Sequence, residues 1–380
     1  MIYLDNAATS FPKPRPVCDE VNKCMRQYCG NPGRGAHALS MAAATAVFGC
    51  RESLARLLGV PSPENVIFTL NTTHSLNMAI KGLLRPGDHV IISDLEHNSV
   101  WRPVFRLAEQ GGIEYDVFRS FAGDERRSSV RICASIARLL RPDTRMVVCL
   151  HSSNICSAQL PVDDIAAFCH RHGLLFVLDA AQSAGHLPLD MTASGVDVIC
   201  APGHKGLLGP PGCGVLALRD GLTLDTLTEG GNGINSLEGE MPENPPERYE
   251  SGTLPLPAVA GLTQGIRTVE QIGLDNIRAH EAALYTALLD RLSGLPGVRV
   301  YAPEHVGSVL LFNVGDMPSD KVGRQLDRRG ICVRSGFHCA PLAHRTLGTP
   351  KHGAVRVSFG IYNTLSDLDA LWNALKDITK

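Results

Sequence analysis

Lysine is scarce in this 380-residue chain, with only eight: Lys13, Lys23, Lys81, Lys205, Lys321, Lys351, Lys376 and Lys380. Aromatic residues make up only 5%. No apolar run approaches the roughly 18 residues that a membrane-crossing helix needs. The start, Met1 to Ser10, lacks the basic and apolar stretches of a secretion signal. No excess of one charge exists: 36 Lys and Arg face 38 Asp and Glu, for a net charge of −2. Neither nucleic acid nor a membrane surface is therefore expected as a partner. The twelve cysteines contain no pair spaced by two residues and are scattered through helix and strand patterns. They read as reduced thiols of a cytoplasmic protein, with no metal site expected. Most, such as Cys149, Cys200 and Cys213, read as small core residues. There is no internal repeat and no low-complexity tract, and a hydrophobic content of 44% is ordinary for a folded globular chain.

Against that scarcity Lys205 stands out. It follows the apolar stretch that begins at Val196 and sits among Gly203, Gly206 and Gly209, beside His204. Glycines there remove side chains where something must approach the backbone closely. A lysine at the mouth of a sheet suits a Schiff base with an aldehyde cofactor. A solvated turn lysine is the plainer alternative. A second signal lies 26 residues upstream, where the apolar run Leu174 to Leu178 ends abruptly in Asp179, with Gln182 three residues on. An aspartate closing a core strand is costly without a cationic partner, and the protonated ring nitrogen of pyridoxal phosphate is such a partner.

The chain alternates apolar strands with helical patterns, which predicts a mainly parallel sheet with right-handed crossovers. Strands are expected over 65–70, 88–93, 144–150, 174–178 and 214–219, and further on over 309–314, 331–334 and 355–359. Helices are expected over 14–28, 40–58 with Ser40 as the cap, 130–140, 162–172, in long stretches through 258–295, and over 365–378. The segments 112–128 and 229–246 read as exposed connections. Ligands in such folds bind at the carboxyl edge of the sheet, and candidates cluster there. Thr72 and Thr73 open a helix straight after a strand, which makes either an anion site or simply a good cap. His97, preceded by Glu96, and Asn154 each follow a strand. Arg34, between two glycines, could hold a carboxylate or be a solvated loop charge. Ala8 lies in a run of small residues near the start. Cys339 lies just after a strand, with Gly336, His338 and Pro341 around it and Arg334 five residues before, which makes it a candidate nucleophile.

Taken together, these motifs resemble the fold-type I pyridoxal-phosphate enzymes of the class V aminotransferase superfamily, and within it the cysteine desulfurases. The resemblance runs from Tyr3 to Tyr362, and the run Arg334 to Ala340 is similar to the reactive loop of the group II, selenocysteine-lyase-like branch. It implies an α/β chain whose large domain carries a mainly parallel, seven-stranded type of sheet, with a small α+β C-terminal domain. The expected division is an N-terminal segment, 1–15, packing near the active site, a cofactor-binding domain, 16–260, and a small domain, 261–380, carrying the reactive loop.

The resemblance further implies roles. Lys205 would bear the pyridoxal 5'-phosphate, Asp179 would face its ring nitrogen, and His97 would stack on the ring and relay protons. Asn154 would bond the phenolic oxygen, with Gln182 also at the cofactor. Thr72, Thr73 and His204 would hold the phosphate, together with Thr253 reaching over from the second subunit of a homodimer with shared sites. Arg356, with Arg334, would clamp the substrate carboxylate beside Ala8, Asn154 and Arg34. Cys339 would take sulfur from L-cysteine, leaving alanine, and pass it to a protein sulfur acceptor such as an iron–sulfur scaffold.

Two departures stand out. Pro202 occupies a position where the family usually has Ser or Thr, and the stretch between Cys339 and Arg356 is longer, with Pro341 to Pro350 inserted. The rival expectations are a selenocysteine lyase, another amino-acid lyase or aminotransferase, or a catalytically inactive scaffold of the same fold.

Overall fold

In a computed structural model, which describes residues 1–380 apart from positions 34, 125 and 350, the strands form three sheets among the described residues. The candidate Arg34 lies outside the described residues. The strands are β1 (Ile2–Tyr3), β2 (Val66–Thr69), β3 (His89–Ser93), β4 (Glu114–Phe118), β5 (Thr144–Leu150), β6 (Leu175–Asp179), β7 (Val198–Pro202), β8 (Gly214–Leu218), β9 (Val298–Tyr301), β10 (Val309–Val314), β11 (Ile331–Cys332), β12 (Arg334–Gly336) and β13 (Ala354–Ser358).

The seven-stranded sheet has the order β2-β8-β7-β6-β5-β3-β4. The β7-β6-β5-β3-β4 ladder is parallel throughout, and only β8 runs against its neighbours. Its strands are apolar on both faces because both faces are covered. Val147, Cys149, Phe176, Leu178 and Ile199 enter one core. Their chain neighbours Met146, Val148, Leu175, Val177 and Val198 enter the other. The helices Arg15–Gln27, Ala38–Leu58 and Leu256–Ile272 pack together.

A second sheet, β12-β13-β10-β9, is antiparallel. It packs on Leu274–Ser293, Ser319–Asp327 and Leu365–Ile378 around a third core that includes Leu284, Leu310, Phe312, Val357 and Leu371. The N-terminal β1 pairs in parallel with β11, and Leu4 joins this third core. The start of the chain is thereby anchored between the large sheet and the later residues.

Several expectations need correction. The stretch 112–128 is not only a connection: it holds β4, the edge strand, whose first residue is exposed and whose middle is half-buried. Residues 331–334 do not make one strand. Ile331–Cys332 pairs with β1, whereas Arg334 starts β12 in the other sheet. Cys332 is accordingly half-buried. Ser40 is not the cap of its helix. His37 is, with its Nδ1 accepting the Ser40 N–H at 3.2 Å, while the Ser40 hydroxyl donates to the Asn31 and Gly33 carbonyls at 2.8 Å. The chain after Cys339 folds into a short helix, Pro341–Thr346.

Candidate active site

The parallel strands end at one edge, and the residues that follow them meet there. β2 leads to Asn71, Thr72 and Thr73, β3 to His97, and β5 to Ser152 and Asn154, while β6 closes on Asp179 and β7 leads to His204 and Lys205. All of these line one cleft of about 530 Å³. The glycines around Lys205 serve close packing of the chain on itself. A Cβ at Gly206 would come 2.4 Å from the Ala184 carbonyl oxygen, and one at Gly203 would come 2.8 Å from that of Cys213. The Lys205 turn is thus pressed against the backbone after β6, beside Asp179.

Asp179 is 4% exposed. One carboxylate oxygen accepts the Ala181 N–H at 2.8 Å. Among the described residues no Lys, Arg or His nitrogen lies within 4.0 Å of this carboxylate, while many other carboxylates have such a partner. Burial raises its pKa, only partly offset by the Ala181 N–H and the charge of Lys205. Lys205 is pushed down to about 8, first by burial and then by the cations Arg356 and Arg334, with Asp179 opposing. An amine so shifted is neutral far more often at physiological pH than an exposed lysine. Beneath them Glu96 is fully buried and pushed up to about 8 by burial, with Ser93 and the Leu150 N–H on one oxygen and no partner for the other. At neutral pH it is mainly the uncharged acid.

His97 is the cap of the helix Asn98–Glu109, its Nδ1 accepting the Ser99 N–H at 3.0 Å. Burial, and next the charge of Lys205, hold its pKa near 4. A neutral ring whose Nδ1 accepts carries its proton on Nε2. The Ser99 hydroxyl lies 2.8 Å from His97 Nδ1 and 2.7 Å from Thr73 Oγ1, which ties the histidine to the preceding helix.

That helix, Thr72–Leu83, is capped by Asn71, whose side chain accepts the His74 N–H at 2.9 Å. Thr72 Oγ1 is buried without a partner at its mouth. A free hydroxyl at a helix N-terminus makes a ready anion cradle. Gly214 permits it, since a Cβ there would come 2.5 Å from the Asn71 carbonyl carbon. Pro202 lines the cleft without a donor. His204 binds Thr9 Oγ1 at 3.1 Å through Nδ1, and burial lowers its pKa to about 4. Gln182 reaches the cleft but gives its amide N–H to the Ala7 carbonyl at 2.9 Å. The half-buried Ala8 donates its N–H to the Asp5 carbonyl at 3.0 Å.

Asn154 gives one Nδ2–H to the His338 carbonyl at 2.9 Å, and its Oδ1 is buried without a partner. Arg356 is 2% exposed. Its Nη1 donates to the Asn154 carbonyl at 3.0 Å and its Nη2 to Asp5 at 2.6 Å, while Nε has no partner. Arg334 stands opposite it in register, is much more exposed, and approaches the same Asp5 at 4.0 Å. Cys339 does not line the cleft. It is exposed, and its carbonyl accepts the Asn98 N–H at 2.7 Å, next to His97. Thr253 is not brought to Lys205 either. It lines a larger cleft of about 1860 Å³ with Gly33, Phe48, Arg51 and Gly231.

Sequence reasoning missed Ser99, Asn71 and Asp5. The signals were present: Ser99 two places after a histidine that caps a helix, Asn71 between a strand and a helix, and Asp5 next to the first strand.

Fold and site together define an α/β enzyme with a buried lysine, a buried uncompensated carboxylate and an anion cradle at one sheet edge. The chain belongs to the class-V aminotransferase family, whose profile matches residues 2–371. A probable cysteine desulfurase of Methanothermobacter thermautotrophicus is 34% identical over 385 residues, covering 99% of this chain and 94% of that protein. Another, from Mycolicibacterium paratuberculosis, is 33% identical over all of this chain, which spans 56% of that longer relative. Among solved structures, the apo cysteine desulfurase of Thermococcus onnurineus superposes with a TM-score of 0.89 at 31% identity, over 100% of this chain and 94% of that one.

Proposed function

We propose that the protein is a pyridoxal 5'-phosphate-dependent cysteine desulfurase, converting L-cysteine to L-alanine and taking the sulfur onto Cys339 as a persulfide. The observation that carries this reading is Asp179, a buried carboxylate without a cation, in the same cleft as a lysine depressed to about 8. A ligand that brings both an aldehyde and a protonated ring nitrogen answers both. The partnerless Thr72 Oγ1 and Asn154 Oδ1 are further groups awaiting a polar ligand.

When bound, the cofactor supplies an electron-withdrawing ring that accepts the electron pair released at the substrate α-carbon. Lys205 would hold it and Asp179 would keep its nitrogen protonated. Thr72, Thr73 and His204 would receive the phosphate, together with Thr253 of a second subunit in a homodimer. Asn154 and Gln182 would stand at the phenolic oxygen. His97 would lie on the ring as a neutral Nε2–H donor. Arg334, the freer of the two arginines, and Arg356 would orient the substrate carboxylate, with Asp5 as their resident counter-ion. Ala8 would form part of the wall there.

Lys205, near neutrality once released, takes the α-proton. The Cys339 thiolate attacks the substrate sulfur, the carbon–sulfur bond breaks, and the β-carbon is protonated. Cysteine and a protein thiol thereby become alanine and a protein persulfide, with no other reactant consumed. For the organisation of the chain we keep the division 1–15, 16–260 and 261–380, which is supported by the separate third core built mostly from residues after 283.

The purified protein is mixed with cysteine, and in parallel with selenocysteine, and alanine is measured. Cys339→Ser is expected to abolish alanine from cysteine while sparing selenocysteine, because selenium leaves without help from a thiolate. Mass spectrometry of the wild type is expected to place one extra sulfur on the Cys339 peptide. Normal turnover of cysteine by Cys339→Ser would replace this reading with that of a simple lyase.

A further inference from the structure

The stretch after Cys339 brings a second histidine under the reactive turn. His338, His344 and Thr349 are 5%, 0% and 4% exposed. His338 Nε2 lies 3.3 Å from the Arg334 carbonyl, His338 Nδ1 lies 3.1 Å from His344 Nε2, and His344 Nδ1 lies 2.6 Å from Thr349 Oγ1. The two ring planes are 12° from parallel with centroids 5.4 Å apart, an edge-to-edge arrangement.

The direction of this chain follows from its ends. A carbonyl can only accept, so His338 Nε2 carries a proton, and in the neutral ring Nδ1 must accept. His344 therefore donates from Nε2 and accepts at Nδ1, which the Thr349 hydroxyl supplies. Burial keeps both rings neutral: it lowers His344 to about 4 and holds His338 well below the ordinary histidine value. Every polar atom of the two rings is satisfied, and each link depends on the next.

What hangs on this chain is the backbone of the nucleophile. His338 and Cys339 have φ of +50° and +54°, two successive non-glycine residues in the left-handed region. Such a turn persists only where surrounding contacts over-determine it. The contacts here are the Asn98 N–H on the Cys339 carbonyl, Asn154 on the His338 carbonyl, and the buried histidine chain on the His338 side chain.

We infer that His344 and Thr349 are positioning residues, which fix His338 and through it aim the Cys339 thiol at substrate sulfur. This inference rests on the desulfurase reading for its kinetic part. Thr349→Val keeps the shape and removes the hydroxyl, leaving His344 Nδ1 buried without a donor, while Thr349→Ser restores it. His344→Phe, which cannot donate to His338, is the second variant.

In the holoenzyme, Thr349→Val and His344→Phe are expected to lower kcat for alanine from cysteine about tenfold with KM unchanged. Turnover of selenocysteine should stay within about twofold, and Thr349→Ser should return to within about threefold of wild type. Hydrogen exchange of the peptide spanning 334–347 should be about tenfold faster in Thr349→Val and not in Thr349→Ser. Equal losses on cysteine and selenocysteine, or unchanged kcat in folded variants, would overturn the positioning role. If wild type makes no alanine from cysteine, the desulfurase reading fails by itself. Exchange then decides alone: unchanged exchange in Thr349→Val overturns the role, and faster exchange rescued by serine upholds it.

Discussion

Asp179 sets function against stability, and replacing it by asparagine should separate the two. In the protein alone the carboxylate is 4% exposed, has the Ala181 N–H as a partner and has no cation within 4.0 Å among the described residues. Asparagine keeps the oxygen that accepts the Ala181 N–H and removes the charge. A buried polar group short of partners costs about 1–3 kcal/mol. For 380 residues the unfolding entropy is roughly 0.8 kcal/mol per kelvin. Cofactor-free Asp179→Asn should therefore melt about 1–4 °C higher than cofactor-free wild type.

A carboxyl whose folded pKa lies above its unfolded value contributes most to stability when protonated. That contribution is complete below the unfolded value of about 3.9 and is lost as the pH rises through the folded value. The gap between variant and wild type should therefore narrow as the pH falls from 7.5 toward 4. With pyridoxal phosphate bound the order should reverse, and alanine formation should fall at least about 100-fold, the scale of losing one aimed electrostatic group at a reacting centre. The assays are calorimetry of both forms and alanine release. A cofactor-free variant less stable than wild type would mean that the chain already compensates this carboxylate. A variant of normal activity would remove Asp179 from the chemistry.

The depressed Lys205 predicts how loading depends on pH. Only the neutral amine condenses with an aldehyde, so with its pKa near 8 the rate of pyridoxal-phosphate uptake by cofactor-free protein should rise about fivefold from pH 7 to pH 8 and level off above pH 9; a rate still climbing tenfold per unit at pH 9 would show an ordinary lysine. The proposed homodimer with shared sites predicts complementation. Mixed under confirmed subunit exchange, inactive Lys205→Ala and impaired Thr253→Ala proteins should regain activity, because the site with native Lys205 would receive Thr253 from the lysine variant, and no recovery would mean that Thr253 serves its own subunit or none.

The buried strands were legible from their unbroken apolar runs: Leu175 to Leu178 before Asp179, and Met146 to Leu150 within Thr144–Leu150, fall where the runs predicted them. β4 was not read, although Ile113 to Val117 alternates apolar and polar residues: the strand is short, carries no continuous apolar run and lies among glycines and charges. The break at Val333 was invisible for a different reason. The chain leaves one sheet for another between Cys332 and Arg334, and local preference for extended backbone is the same on both sides. The start of the helix at Ala38 was misread because a histidine does the capping, and no helix was expected after His97. His37 and His97 accept through Nδ1, whereas the usual signal is Ser, Thr, Asp or Asn.

The site residues were legible one at a time and their connections were not. Lys205 and Asp179 could be paired from sequence because each follows its own strand, and parallel strands bring their ends to one edge. The link from that edge to Cys339 has no such rule behind it. The cysteine follows β12 of the small sheet, whereas the lysine follows β7 of the large one. Hydrogen bonds cross between them, among them Arg356 to the Asn154 carbonyl, Asn154 to the His338 carbonyl, and the Asn98 N–H to the Cys339 carbonyl. Asn154 stands in the middle, fixed by the arginine on one side and fixing the reactive turn on the other, with its Oδ1 still unpartnered. A polar group filling the cleft beside Asn154 would meet the residue that bonds the backbone of the Cys339 turn. The Lys205 cleft and the Cys339 turn thus meet at one side-chain amide.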